Sequence, residues 1–214
     1  MKLTAAIIAY NCEKQLPELL DSIKKQVDYI VIGLDPKTND GTRAVAEKYG
    51  AIVYDGVDAW QTGFSVARDL SFSKVPEDTD WILWIDTDDV LKCDTPLRDL
   101  CATAGPDVAG IALPYVYFTD DMGNVTTIFD RERLLRRSFN PKWRSYLHEI
   151  CEAPPGSRFI RPYETMEVAP AWVEHKNRHS DQKGERNFTL LNKWIAEEPG
   201  SSRCMWYMGM QYFA

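Results

Sequence analysis

Three short apolar runs, each followed by a stretch with a different spacing, constrain this chain more than any other feature. Leu3 to Ala9 reads as a strand buried on both faces. The loop Tyr10-Asn11-Cys12-Glu13 follows it. Pro17 suits the first turn of a helix, and Leu16, Leu19, Leu20 and Ile23 keep helical spacing to about Gln26. Tyr29 to Leu34 reads as a second strand and ends at Asp35. The turn formers Pro36 to Thr42 come next, with a helix cap near Asp40. Thr42 to Tyr49 reads as a helix closed by Gly50, and Ala51 to Tyr54 as a third strand. A β-α-β-α-β order with short connections implies a parallel sheet with right-handed crossovers. No G-x-G-x-x-G follows the first strand, and no G-x-x-x-x-G-K-[ST] occurs. Both absences argue against a dinucleotide-dependent dehydrogenase and a P-loop ATPase.

Gly63 to Lys74 reads as a further helix, with Arg68 near its start. Trp81 to Ile85 is then an apolar strand that breaks into Asp86, Asp88 and Asp89. Carboxylates at the end of a parallel strand sit where open α/β sheets bind ligands. Crowded like charges repel unless a cation or hydrogen-bond donors compensate. Mg²⁺ and Mn²⁺ prefer carboxylate oxygens and bridge to phosphates. Two readings stand at this point: a metal–phosphate site, and an acidic turn carrying a helix cap.

The pattern changes after a helix from Thr95-Pro96 to about Ala104. Ala109 to Phe118 and Val125 to Phe129 flank a turn at Asp120 to Asn124 and read as a hairpin. Arg133 to Arg137, Ser145 to Cys151 and Trp172 to His175 read as further short strands. The fold class is therefore α/β, with one mixed sheet that is parallel in its N-terminal half and antiparallel-rich in its C-terminal half. From about Asp181 the spacing is helical again, to Pro199-Gly200, and Arg203 to Phe213 fits a last helix. That αα-hairpin, 181–214, resembles one unit of a helical repeat, which cannot bury its own face; either it packs back on the sheet or the chain is a fragment of a longer repeat-bearing one, and the second is the preferred expectation.

A net charge of −7 argues against nonspecific nucleic-acid binding. One basic run stands out, with arginines at 131, 133, 136 and 137; it reads as a solvated strand face or as a contact to diphosphate or an acidic acceptor. Five cysteines without paired metal spacing suit free thiols in a reducing, cytoplasmic setting. No run of apolar residues reaches the length of a membrane span.

In order and spacing, residues 3 to about 180 resemble the family 2 nucleotide-sugar glycosyltransferases, which have the Rossmann-like GT-A fold. The resemblance rests on Ile7-Ile8-Ala9-Tyr10-Asn11, on Ile30 to Asp35 with Asn39-Asp40-Gly41-Thr42, and on Phe64 to Asp69. It continues in Trp84-Ile85-Asp86-Thr87-Asp88-Asp89, Arg133 to Arg136, Leu147-His148-Glu149 and Val173-Glu174-His175. Asp69 stands where the family usually has Asn, and Pro36-Lys37 where small residues are usual. The resemblance implies a domain at 1–180, divided into a nucleotide-binding half (1–90) and an acceptor half (91–180). It also implies a nucleoside-diphosphate sugar donor, a divalent Mn²⁺ or Mg²⁺ ion, and an acceptor that is a glycan, lipid or protein. A nucleotidyltransferase and a noncatalytic sugar-nucleotide-binding module are the alternatives.

The same resemblance implies residue roles. Asp88 and His175 hold the metal. Asp86, with Thr87, reaches the ribose or the metal through water. Asp89 is either a cap or support for the site, or a direct participant. Ala9, Tyr10, Asn11, Glu13 and Asp35 line the nucleoside, with core packing, first-turn charge and an Asx-turn as the bland readings of Tyr10, Glu13 and Asp35. Arg68 pairs with diphosphate or with a nearby Asp. Glu149 or His148 takes the acceptor's proton, and alternation along a strand points only one of them at the site.

Overall fold

Strand direction decides which loops meet. In the computed structural model, which describes residues 1–120, 122–165, 168–176 and 183–212, nine of the described strands form one sheet. Strand β1 (Leu3–Ala9) runs parallel to β2 (Tyr29–Leu34) on one side and to β4 (Trp81–Trp84) on the other; β3 (Ile52–Asp55) extends the sheet beyond β2. Helices α1 (Leu16–Ile23) and α2 (Thr42–Lys48) make the crossovers, as the spacing of their apolar residues predicts. Leu16, Leu19, Leu20 and Ile23 are all buried against the sheet.

A short helix α3 (Ala59–Thr62), capped by Asp58, precedes α4 (Phe64–Ser73). The hinge between them is Gly63, at φ +94°, where a β-carbon would press on Tyr146. This close approach lets the segment after Trp143 dock on the start of α4, with the Phe64 N–H donating to the Tyr146 carbonyl at 3.0 Å.

The second half departs from the sequence reading in three places. Asp89–Cys93 forms β5, which the spacing did not announce, before α5 (Leu97–Ala102). Strands β6 (Val108–Thr119) and β7 (Val125–Arg136) make a longer hairpin than expected, because the basic run continues β7 without a break. The segment expected as a strand from Ser145 to Cys151 is mostly loop. Only β8 (Trp143–Arg144) and β9 (Ile150–Cys151) pair, and Ser145 and His148 take φ values of +79° and +53°, which extended backbone excludes. Strand β10 (Arg158–Ile160) joins β6, and β11 (Ala171–His175) lies between β6 and β5. The sheet order is β3-β2-β1-β4-β7-β6-β11-β5. The mixed α/β fold is thus the one expected, parallel in its first half and antiparallel-rich in its second.

Helices α6 (Lys183–Glu197) and α7 (Ser202–Tyr212) form the expected hairpin. The boundary placed near 180, the helix start at Asp181, Phe213 and the turn residue Asp121 lie outside the described residues. Among the described residues, the hairpin packs on the loop after β8 and on α3 and α4. Its Leu190, Leu191, Trp194 and Cys204 bury Leu147 and pack against Trp60, Phe64 and Tyr146. That packing, together with the hydrogen bonds from Phe64 to the Tyr146 carbonyl and from Arg203 to the His148 carbonyl, holds the Tyr146–Glu149 loop, which has no ladder of its own. No helix among the described residues is long and apolar enough to cross a membrane.

Candidate functional site

Most of the strand-borne residues singled out from the sequence emerge at one end of the sheet, where Arg68 of α4 and the loop bearing Glu149 meet them. Ala9 is level with Leu34 across β1 and β2, and Ala6 with Trp84 across β1 and β4. Tyr10, Asp35 and Asp86 therefore emerge together. Antiparallel β7 enters from that edge, so Arg131 and Arg133 lie there, and β6 delivers Tyr115 and Tyr117 to it. Strand β11 ends there with His175 opposite Asp89, the first residue of β5. The pairing of β5 with β11 closes the 86-residue gap between Asp89 and His175.

Asp88, Asp89 and His175 form the one group of potential metal ligands among the described residues. Each offers an atom within 4.8 Å of the others. His175 Nδ1 is 3.1 Å from Asp89 Oδ1 and 3.8 Å from Asp88 Oδ1. The ring stacks on Tyr117 at 5.1 Å and 13°. Asp89 is fully buried: the Tyr115 hydroxyl donates to Oδ1 at 2.9 Å, and Arg133 donates to Oδ2 at 2.8 Å. Burial, then the charge of Asp89, pushes the Tyr115 hydroxyl well above its usual pKa and keeps it a donor.

A second cluster lies beside the first. Arg68 is buried. Its Nη2 donates to Asp86 Oδ1 at 2.7 Å and its Nε to Glu149 Oε1. Burial works against the guanidinium charge, but Asp86 and Glu149 outweigh it and raise the Arg68 pKa. Burial likewise works against the Asp86 charge. Arg68 and then Arg133, 3.9 Å away, overcome it and hold the Asp86 carboxyl at about 2. The indole of Trp84 underlies the whole cluster, with the guanidinium carbons of Arg133, Arg68 and Arg131 at 4.1, 4.3 and 5.1 Å from its ring centre.

The nucleoside-side residues divide. Tyr10 is 45% exposed. Asn11, at φ +41°, accepts from the Asn39 N–H at 2.9 Å, and Glu13 accepts from the Gly41 N–H at 2.6 Å. Asp40 accepts from the N–H groups of Thr42 and Glu13, while the Thr42 hydroxyl accepts from the Cys12 N–H. The Asn39-Asp40-Gly41-Thr42 turn is thus a staple between the loops after β1 and β2; Gly41, not Asp40, is the residue at the cap. Asp35 is buried and takes the Lys37 N–H on Oδ1 at 2.9 Å, forming an Asx-turn. Thr87, in the acidic turn, reaches the Cys12 thiol, whose burial pushes it up to about 11.

Glu149 and His148 point different ways, but not through strand alternation. Glu149 is buried against Arg68. His148 is exposed, stacks on Tyr207 at 4.0 Å, and its carbonyl accepts from Arg203 at 2.9 Å. A cavity of about 380 Å³ lined by Met1, Asp80, Trp81 and Arg136 lies at the opposite end of β4 and shares no residue with these clusters.

The sequence leaves Asp89 undecided and Tyr115 without a task, and it reads Arg133 as part of a solvated face or a diphosphate or acceptor contact, where the structure buries it on Asp89. The period-2 spacing of Arg131 and Arg133, which puts both on one face of a strand, was the available signal.

The family model described as glycosyl transferase family 2 matches residues 4–163. No curated protein matches the chain. Among solved structures, Staphylococcus aureus TarS 1–349 superposes with a TM-score of 0.54 at 15% identity, covering 94% of this chain and 66% of that one. Its complex with UDP gives 0.52 at 15%, covering 91% and 66%. Glucosyl-3-phosphoglycerate synthase from Mycobacterium tuberculosis, in complex with Mn²⁺, UDP and phosphoglyceric acid, gives 0.51 at 18%, covering 90% and 78%. At these identities the likeness is one of fold. The chain spans just under two thirds of the length of TarS 1–349.

Proposed function

The chain belongs to glycosyl transferase family 2, and from that premise we propose that it transfers a sugar from a nucleoside diphosphate, UDP by preference, to an acceptor nucleophile. The observation that carries this reading is the Asp88–Asp89–His175 cluster, set at the strand edge that also presents Tyr10, Asp35 and Asp86. Two carboxylates and one imidazole fit a divalent cation. The imidazole favours Mn²⁺ over Mg²⁺, which prefers oxygen alone. Asp88 and His175 would hold it, with Asp89 kept in place by Tyr115 and Arg133. A cation bound there supplies charge to offset that growing on a departing diphosphate.

Tyr10 and the backbone of Ala9 meet the base, and Asp35 accepts from a uracil N–H or a ribose hydroxyl. Asn11 and Glu13 keep that loop in place through Asn39 and Gly41. Asp86 and Thr87 face the ribose. Arg68 is committed to Asp86 and Glu149, so its task is to aim those carboxylates and not to grip the diphosphate. Glu149 takes the proton of the acceptor hydroxyl. The acceptor oxygen bonds to the anomeric carbon as the bond from that carbon to the diphosphate oxygen breaks, which inverts the carbon. His148, turned toward Tyr207, is the second choice for that role. UDP in the TarS structure, and UDP with Mn²⁺ in the mycobacterial enzyme, support the donor and metal assignments. Five free cysteines support a reducing, cytoplasmic location.

Thermal melting with a panel of nucleoside diphosphates and UDP-sugars, with and without Mn²⁺, tests the reading. A ligand at a hundred times its Kd adds about 2.7 kcal/mol, or about 5–10 °C for a domain of this size. Stabilisation by UDP that needs the metal is the expected result; no response to any nucleotide sinks the reading. Glu149→Gln should bind the donor normally and transfer sugar at least ~100-fold more slowly. Normal turnover in that variant would remove Glu149 as the base.

A further inference from the structure

Of the four arginines between 131 and 137, only Arg133 has a carboxylate partner among the described residues, and Arg131 lacks a short hydrogen bond as well. Arg136 spends its guanidinium on the carbonyls of Ala104 and Gly105, and Arg137 on that of Glu77. Arg133 is fully buried on Asp89 and Asp86. Arg68, across the Trp84 ring, has Glu149 and Asp86. Arg131 lies over the same indole, yet among the described residues it makes no ion pair within 4.0 Å. Its one hydrogen bond is a long one, 3.4 Å, from Nη2 to the Glu149 carbonyl. Its Nε is buried without a partner.

Such an arrangement is costly. A half-buried guanidinium normally finds a carboxylate, because desolvation without a counter-charge is not repaid. Burial, then the positive charge of Arg133, lowers the Arg131 pKa, with Glu149 acting against them. The planar fork of a guanidinium matches phosphate and carboxylate oxygens in pairs.

We propose that Arg131 is the receptor for a phosphate-type oxyanion, carried either by the acceptor or by the donor as its diphosphate. Its place in the sheet favours the acceptor. Strand β7 flanks β4 on the side away from β1 and β2, so Arg131 stands next to Glu149 and not beside Tyr10 and Asp35. An anionic group held there brings an attached hydroxyl close to the residue that takes its proton. Naming these two carriers rests on the sugar-transfer reading; the anion site itself does not.

The test uses the whole chain, with Arg131→Gln and Arg131→Lys, and calorimetric titration by two probes: glycerol 3-phosphate alone and UDP with Mn²⁺. Melting curves first establish that each variant is folded, and Arg131→Lys keeps the charge if the glutamine variant is not. The expected result is binding of glycerol 3-phosphate to the parent chain, weakened about tenfold or more by Arg131→Gln and less by Arg131→Lys, with UDP–Mn²⁺ affinity changed by less than about twofold. If the loss falls on UDP–Mn²⁺ and glycerol 3-phosphate does not bind, the oxyanion is the donor's. Unchanged affinity for both probes in both variants, or binding of neither probe to the parent chain, overturns the proposal. An Arg131-dependent response to glycerol 3-phosphate in a chain that ignores UDP–Mn²⁺ would keep the anion site and discard the transfer reading.

Discussion

Asp86 and Asp88 leave the same turn two residues apart and enter opposite surroundings. Asp86 sits between Arg68 and Arg133, which hold its carboxyl at about 2. Asp88 faces the imidazole of His175, with Asp89 as the third member of its cluster. The first carboxylate has its counter-charge built into the protein. The second has an arrangement of ligand atoms that suits a counter-charge brought from outside. Carboxylates that look alike in sequence thus divide by their position against the arginines: one is held by charges of the protein, and the other belongs to a candidate cation site. Asp89 belongs to both sides, since it meets Arg133 through one oxygen and His175 through the other.

The comparison breaks most visibly at Arg68. Arg68→Ala strands Glu149 and Asp86 together without their shared partner, and should cost about 3–5 kcal/mol in urea unfolding. A loss below about 1 kcal/mol would show that the cluster is solvated and that Arg68 holds nothing. Asp89→Ala comes next, at about 3 kcal/mol, because Arg133 loses its closest carboxylate in a fully buried place. It should abolish metal binding as well. Asp88→Ala sharpens the contrast: its stability should stay within about 1 kcal/mol of the parent, with metal binding lost. Similar destabilisation by both aspartate variants would erase the distinction between them.

The smallest effect is in acid. The Asp86 pKa is depressed on folding, so its contribution is complete above the unfolded value near 4 and is lost as pH falls toward 2. The melting temperature of the parent chain should therefore drop through that window, and Asp86→Asn, though less stable at neutral pH, should drop less steeply. Parallel pH profiles for the two would place the depression elsewhere.

Much of the first half is legible in the sequence because helix and strand periods there are clean and the connections short. Strand-end positions alone bring Asp35 and Asp86 to one edge. The second half is less so, for reasons that particular residues show. Asp89-Val90-Leu91-Lys92-Cys93 is short and begins inside an acidic turn, so nothing local marks it as β5. Without β5, the meeting of Asp88 with His175 depends on resemblance and not on derivation, and the place of Asp89 between them goes unread. Tyr146, Leu147 and Ile150 are residue types that suit a strand, but Leu147 is buried by Trp194 and Leu190 from the C-terminal hairpin, and positive φ at Ser145 and His148 turns the chain. That is a tertiary capture of apolar residues, which local patterning cannot register. The hairpin itself, expected to need further repeats to cover its face, finds part of that cover in the same loop.

The central claim is that Asp88, Asp89 and His175 bind a divalent cation with the nucleotide. Electron paramagnetic resonance of free Mn²⁺, titrated into the chain with UDP present, measures it directly. The account predicts the loss of free-ion signal equivalent to one Mn²⁺ per chain, with that loss abolished in both Asp88→Ala and His175→Ala. Undiminished Mn²⁺ uptake by those two variants, or none by the parent chain, contradicts it.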